Sequence, residues 1–416
     1  MRLFLLWLPL LATAAFAQRD IGPTGAVNTQ PPNSLNVKKS CGAKGDGSTD
    51  DSFFIQRCIN KAKPGRTVFF PNGTYLLMKT INVKGGITYM GESTNAVLRS
   101  AEMGNWIFMF PDSQGNQITI TSLTFESGGI NTLGNSEFPK RVRITNCKFQ
   151  NMTQLEGNWQ QKNFIYADNG LSSSQIDHNS FSMLLGNGMT RHQNTPDYDG
   201  DLPRSAIWAY GLDNTSIDHN TFDRVYQGIK VCQTYPFQAR NVYIGWNVMT
   251  RIHRMGMEIQ DAPGCGRQNP PGVTINTKDV TIEHNSITNW DDYYWSSFGI
   301  SWANASSENV TIRNNVIIGS EYYKAPGVPS DTPGMGIEVG GQPALVYNNT
   351  LRGPWGQAIA VFGGSQNSDV HNNFACNVNV HAGAPQMADE HGGTNTRYHD
   401  NTTVYPCPPE TKAASK

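Results

Sequence analysis

The chain has 416 residues, a formal net charge of −1 and only 16% charged residues. Near-zero charge argues against nucleic-acid binding by counterion release, which needs a basic face. The 10% aromatic content and the absence of long charge runs argue against disorder. Polarity comes instead from neutral residues, with 40 Asn beside 41 Gly and 23 Pro.

Residues 1–18 read as a secretory signal peptide. Arg2 is followed by the apolar run Leu3 to Leu11, and Ala15-Phe16-Ala17 supplies a small-x-small cleavage site. The run is too short to span a membrane, and no later apolar run approaches 18 residues. The expectation is a secreted, soluble chain, extracellular or periplasmic, with no membrane partner. Residues 19–35 are expected to be a flexible segment, 36–407 one domain, and 408–416 a frayed tail.

Export permits disulfides. The seven cysteines are Cys41, Cys58, Cys147, Cys232, Cys265, Cys376 and Cys407, so at least one thiol is unpaired. Neighbour pairings 41–58, 232–265 and 376–407 are compatible with the spacing, but sequence does not settle connectivity. No C-x-x-C or His-rich spacing suggests zinc.

Asp50-Asp51 opens a predicted helix over Ser52–Lys61, with Phe54, Ile55, Cys58 and Ile59 on one face. Acid at its start favours a helix N-terminus. Such a helix can cover the open end of a solenoid. Short strands are predicted at Thr67–Phe70, Tyr75–Leu77 and Ile87–Met90.

From residue 176 onward the asparagines recur in a frame, apolar-x-x-Asn-x-(apolar or Thr). Asn179, Asn220, Asn247, Asn285, Asn315, Asn349, Asn373 and Asn401 occupy it, with successive spacings of 41, 27, 38, 30, 34, 24 and 28. Upstream, Cys147 and Leu123 take the Asn position. A unit near 24 residues with variable insertions means stacked coils. A second strand precedes each frame, as in Ile207-Trp-Ala209, Ile229-Lys-Val231, Met257-Glu-Ile259 and Ile337-Glu-Val339. Its alternation is that of a strand with one buried face. Two short strands per unit with no helix between predict an all-β fold, a right-handed parallel β-helix. Stacked Asn side chains would satisfy amides that the corners leave unpaired. Cys147, in a ladder position, is the candidate buried free thiol.

Gly42-Ala43-Lys44-Gly45-Asp46-Gly47-Ser48-Thr49-Asp50-Asp51 and Val68-Phe69-Phe70-Pro71-Asn72-Gly73-Thr74-Tyr75 resemble the opening of the pectate-lyase-3 group. That group lies in the pectin-lyase-like superfamily, beside rhamnogalacturonase- and epimerase-like members. With the coils, the resemblance covers roughly residues 35–405. It implies a β-helix and, in most members, a secreted polysaccharide lyase or glycoside hydrolase. The corners where polygalacturonases carry Asn-Thr-Asp, Asp-Asp and Gly-His-Gly read Tyr226-Gln227-Gly228, Arg254-Met255-Gly256 and Ser297-Phe298-Gly299 here. The polygalacturonase acid cluster is therefore absent. No Asp-rich set matches the calcium site of the best-known pectate lyases.

Within the second strand the outward positions read, coil by coil, Tyr166, Trp208, Lys230, Glu258, Ser301, Glu338, Ala360. Two residues on they read Asp168, Tyr210, Cys232, Gln260, Ala303, Gly340, Phe362. This exposed stripe carries aromatics that can stack on sugars and carboxylates suited to proton chemistry. Aromatic-rich insertions flank it. Glu258 and Glu338 stand two coils apart, about 9.6 Å in a regular stack. That spacing is compatible with an inverting glycosidase, whose carboxyls lie about 6.5–9.5 Å apart. Lys230 would hold Glu258 ionised as the base, and Glu338 would be the acid. Tyr166, Asp168, Trp208, Tyr210, Gln260, Asp261, His192, Arg254 and Trp295 are the expected substrate-binding residues.

The preferred reading is a glycoside hydrolase, a monomer with no cofactor, cleaving a polysaccharide or oligosaccharide. A lyase eliminating across a uronate is the alternative, with Lys230, Tyr166 or Tyr210 as base and calcium on Glu258, Asp261 or Asp199. A non-catalytic glycan-binding β-helix is the third reading, in which Lys230–Glu258 is a plain surface ion pair.

Overall fold

Each turn of the chain lays down three short strands. In the computed structural model one such coil runs Gln227–Gln233, Arg240–Gly245 and Val248–Thr250, and the next begins at Met255. Among the described residues the strands form three parallel sheets of 14, 13 and 11 members. The architecture is the right-handed parallel β-helix expected from the repeat. The structure describes residues 21–110, 117–132, 141–152, 163–168, 170–182, 205–234, 239–252, 254–261, 265, 269–273, 275–288, 298–303, 307–319, 335–341, 343–355, 357–362, 365–378, 388–391 and 394–408. The signal-peptide reading of residues 1–18 and the tail from 409 fall outside them.

The asparagine ladder lies at the corner between the first and second sheets. Asn179 Oδ1 accepts from the backbone N–H of Cys147 at 2.9 Å, and Asn179 in turn donates its own N–H to Asn220 Oδ1 at 2.9 Å. The same bond links Asn220 to Asn247, Asn247 to Asn285, Asn285 to Asn315, and onward to Asn401. Each inner Nδ2 also donates to a carbonyl of an earlier coil, as Asn285 does to Ile244 O at 3.0 Å. The residue before each ladder Asn turns the corner in the left-handed region, with φ +55° at His178, His219, His284 and Asn314. Asn, Asp and His tolerate that region better than other side chains. The recurring His-Asn and Asn-Asn pairs therefore encode a corner.

Inside the coils, identical side chains stack at the strand spacing. Ile176, Ile217, Ile244, Ile282 and Ile312 are in register and fully buried. Phe125, Phe149, Phe181 and Phe222 form a column with centroids 4.9 Å apart. Gly256 is the second residue of its strand, where a Cβ would lie 2.7 Å from the carbonyl of Gly299 on the next coil and equally close to Ile287.

The helix spans Ser52–Lys61 and buries Ser52, Ile55, Cys58 and Ile59, with Phe54 half-buried at the edge of the core. Of the two acids before it, Asp50 meets the helix start as expected, its Oδ1 accepting from Ser52 N–H at 3.0 Å, while Asp51 does a different job. No acid lies in the first turn, and the carboxylate of the buried Asp51 accepts from the backbone N–H groups of Lys44 and Gly45 at 2.6 and 2.8 Å. It therefore clamps the Gly-rich loop. Strands begin and end close to expectation, at Thr67–Phe70, Gly73–Leu77 and Thr88–Gly91.

Residues 21–34, expected to be flexible, are tied along the coil corners. Gly22 N–H donates to His219 O at 2.8 Å, Thr24 N–H to Asn146 Oδ1 at 3.2 Å, and Asn28 Nδ2 to Gly91 O at 2.9 Å. Disulfides join Cys41–Cys58, Cys232–Cys265 and Cys376–Cys407. Cys147 is the buried free thiol, and burial pushes it up to about 12.

Candidate active site

The third sheet carries the outward column in the expected register. Tyr166, Trp208, Lys230, Glu258, Ser301, Glu338 and Ala360 are successive lateral partners. Parallel in-register pairing, fixed by the ladder one corner away, brings residues from seven coils into one line.

One expectation is corrected at the aromatic end. Tyr166, Trp208 and Tyr210 are 0%, 2% and 1% exposed, so they form no open platform for a sugar. They pack with Trp106 and Cys232 in a second apolar cluster outside the coil lumen. Tyr166 stacks on Trp106 at 6.0 Å and meets Tyr210 edge-on at 6.0 Å. The Cys232–Cys265 disulfide pins the chain beyond Asp261 back to this strand. Burial beside Tyr210 and Asp168 pushes the Tyr166 phenol far above its usual range, and Tyr166 Oη donates to Asp168 Oδ1 at 3.1 Å. A phenol so raised stays neutral and acts as a donor, here to Asp168.

The carboxylate part of the column holds together. Lys230 Nζ lies 2.9 Å from Glu258 Oε2 and 4.8 Å from the centre of the Trp208 ring. Gln227 Nε2 also donates to Glu258 Oε2, at 2.6 Å. Behind it, Ser205 Oγ donates to Gln227 Oε1 at 3.0 Å, and Ser205 N–H donates to Asn163 Oδ1 at 3.0 Å. Glu258 Oε1 is buried with no hydrogen-bond partner among the described residues. Two donors thus hold one oxygen and leave the other covered and unpaired.

Glu338 stands two strands further on and is half-buried. Ser301, between the two glutamates, donates its hydroxyl to Glu338 Oε2. Burial raises the Glu338 carboxyl above its usual 4.5, and the charge of Glu258 raises it further. Ser301 and the guanidinium of Arg254 oppose that rise without cancelling it. Arg254 lies over Tyr226 at 5.8 Å. Two strand steps separate the glutamate backbones by about 9.6 Å.

Gln260 is half-buried, opposite Cys232 and Ala303. The backbone of Asp261 pairs with Gln233, while its side chain, like His192 and Trp295, lies outside the described residues. The column does not bring Asp168 to the glutamates; it stays with Tyr166 at the aromatic end. Gln227, Ser205 and Ser301 were missed as site residues. Gln227 and Ser205 precede the apolar positions that marked the strands, and only pairing shows that Gln227 reaches Glu258 and Ser205 reaches Gln227. A separate hollow of about 440 Å³ on the first sheet is lined by Ser174, Asn214, Thr215, Asn241, Tyr243 and other neutral residues. With no carboxylate or cation in its wall, it offers no acid–base pair.

Residues 34–253 match the family described as rhamnogalacturonase A/epimerase, pectate lyase-like. The chain belongs to this family. Solved structures share the fold at low identity. The surface adhesin PfbA of Streptococcus pneumoniae superposes with TM-score 0.53 and 15% identity over 90% of this chain and 91% of that one. The catalytic unit of an α-1,3-glucanase from Streptomyces thermodiastaticus gives 0.51 and 14%, over 92% and 73%. A lacto-N-biosidase from Eubacterium ramulus gives 0.54 and 11%, over 89% and 67%. A probable glucan endo-1,3-β-glucosidase of Arthroderma benhamiae is 48% identical over 54 residues, 13% of this chain and only 6% of that relative's length. Among the described residues no helix is long and apolar enough to cross a membrane.

Proposed function

We propose that this protein is an exported glycoside hydrolase that cleaves a polysaccharide or oligosaccharide with inversion. The observation that carries the reading is the asymmetry of two carboxylates on one outward column. Glu338 is raised by burial and by Glu258, whereas Glu258 is held through one oxygen by Lys230 and Gln227. Titratable pairs set apart by their surroundings are suited to separate acid and base roles. In this mechanism Glu338 gives its proton to the glycosidic oxygen as the C–O bond breaks. Glu258 takes a proton from the water that attacks the anomeric carbon from the other face, a role that requires its covered Oε1 to become accessible when substrate binds. The glutamate backbones stand about 9.6 Å apart, from which side chains leaning together reach the carboxyl spacing of about 6.5–9.5 Å that inversion uses.

Arg254 supports the reading as a substrate-binding residue, being close enough to act on Glu338. The α-1,3-glucanase, the lacto-N-biosidase and the probable glucosidase are named for cleaving glycans, which agrees with a glycan substrate. Three disulfides suit an oxidising compartment and hence export.

The test is product mass on a panel of plant, algal, fungal and bacterial glycans, with and without a calcium chelator. Products heavier by one water, formed with inverted anomeric configuration and lost in both Glu258→Gln and Glu338→Gln, support the hydrolase. An unsaturated product sensitive to chelator would replace it with the lyase, and tight binding without product with a glycan-binding role.

A further inference from the structure

On the last coils of the first sheet, two strands bring three ligand-type side chains to one face. Asp369 and His371 stand two apart on the strand Asp369–His371, so both project the same way. The strand Arg397–His399 pairs with it in register, His371 opposite His399 and Asp369 opposite Arg397. One oxygen and two ring nitrogens thereby lie within 4.8 Å of one another. Asp369 Oδ1 is 3.2 Å from His371 Nδ1 and 3.0 Å from His399 Nε2. Arg397 occupies the other oxygen, Oδ2, so Asp369 turns a single oxygen toward the two imidazoles.

We propose that Asp369, His371 and His399 bind one divalent transition-metal ion, with zinc as the representative. The donor set is two imidazoles and one carboxylate, which suits zinc, copper or nickel better than calcium or magnesium. Tetrahedral zinc with bonds of about 2.0–2.1 Å holds its ligands about 3.3 Å apart. The two His–Asp edges already match that figure. The third edge closes when an imidazole tilts, since the rings lie parallel with centroids 4.9 Å apart and the His399 side chain is 44% exposed. Water takes the fourth position.

Asp400 completes the arrangement. Its Oδ2 lies 2.8 Å from His399 Nδ1, the nitrogen that points away from the cluster. A carboxylate there accepts the Nδ1 proton and leaves the Nε2 lone pair aimed at the ion, the usual outer partner of a metal-bound histidine. Other histidines of the chain make the contrast. His178 and His219 each turn Nδ1 to the preceding acid, Asp177 or Asp218, at 2.9 Å, and enter no three-ligand cluster among the described residues. The ion would tie the strand Asp369–His371 to the strand Arg397–His399 on the first sheet, as Cys376–Cys407 ties the end of the second. No zinc motif is visible in sequence because His399 lies 28 residues beyond His371 and only the coil register joins them.

The full chain, stripped with a chelator, is titrated with zinc chloride by calorimetry and its melting followed in parallel. Binding of one equivalent with a rise in Tm is expected. His371→Ala and His399→Ala should each abolish it, and Asp400→Asn should weaken it by about 10–100-fold. Absence of binding by the parent chain at millimolar zinc overturns the proposal, as does one equivalent retained by the variant lacking both histidines. Asp400→Asn removes no ligand, so it stays informative if the alanine variants fail to fold, and unchanged affinity there also counts against the site.

Discussion

Lys230 Nζ lies 2.9 Å from Glu258 Oε2 across one coil step, with side-chain exposures of 9% and 1%. The pair is therefore a buried ion pair, and removing one partner strands a charge. Lys230→Met should destabilise the chain by about 3–5 kcal/mol. Adding Glu258→Gln to Lys230→Met should recover most of that loss. Chemical denaturation of the two variants measures both. Equal stability of parent and Lys230→Met would show that the pair is solvated.

Glu338 gives a pH prediction. Its carboxyl is raised in the folded chain and ordinary in the unfolded one. Below the ordinary value of 4.5 both states hold the proton and the folded one is not penalised. As pH climbs through the raised value, the unfolded state ionises freely while the folded state resists, so stability falls. Glu338→Gln should abolish that fall, melting above the parent at alkaline pH with a gap that narrows on acidification. Hydrolysis that needs Glu338 protonated should lose its rate over the same rise in pH.

The ladder should be least tolerant in its middle. Asn285 Oδ1 accepts from both N–H and Nδ2 of Asn247, at 3.1 and 3.0 Å, and all of these groups are buried. Asn285→Ala leaves two donors unsatisfied, each costing about 1–3 kcal/mol. Asn401, the half-buried last member in the series, should cost less when replaced by alanine. Melting temperatures of the two variants decide the order.

Gly256 tests the close approach of coils. A methyl group there would sit 2.7 Å from Gly299 O, which belongs to backbone and cannot swing aside. Gly256→Ala should cost about 1–3 kcal/mol through overpacking. It should also lower activity, because Glu258 lies two residues along the same strand.

The coil and its corners were legible because their signals are local and repeated. Asn at one phase of each coil, His or Asn just before it, and Gly ahead of the Ile strand each answer a backbone demand that recurs every turn. Those same positions gave the column Lys230, Glu258, Ser301, Glu338 through simple parallel register. Burial of the outward face was not legible. Nothing in the alternation of Ile207-Trp208-Ala209 says that Trp208 will be covered, because most of its cover comes from Trp106, Tyr166 and the disulfide at Cys232, which belong to other coils, with Tyr210 of its own strand beside them. Gln227 and Ser205 were missed for a related reason, since each meets its partner across a coil step.

Sequence by itself determined the solenoid, the ladder, the free thiol at Cys147 and the line on which the two glutamates stand, since each follows from periodicity and parallel pairing. Tertiary structure decided which outward residues are wet, which oxygen of Glu258 is held, that Glu338 is raised, and that Asp369 meets two histidines at the last coils. Those properties depend on side chains that converge from separate turns, and local pattern carries no record of the dielectric or the neighbours each one will find.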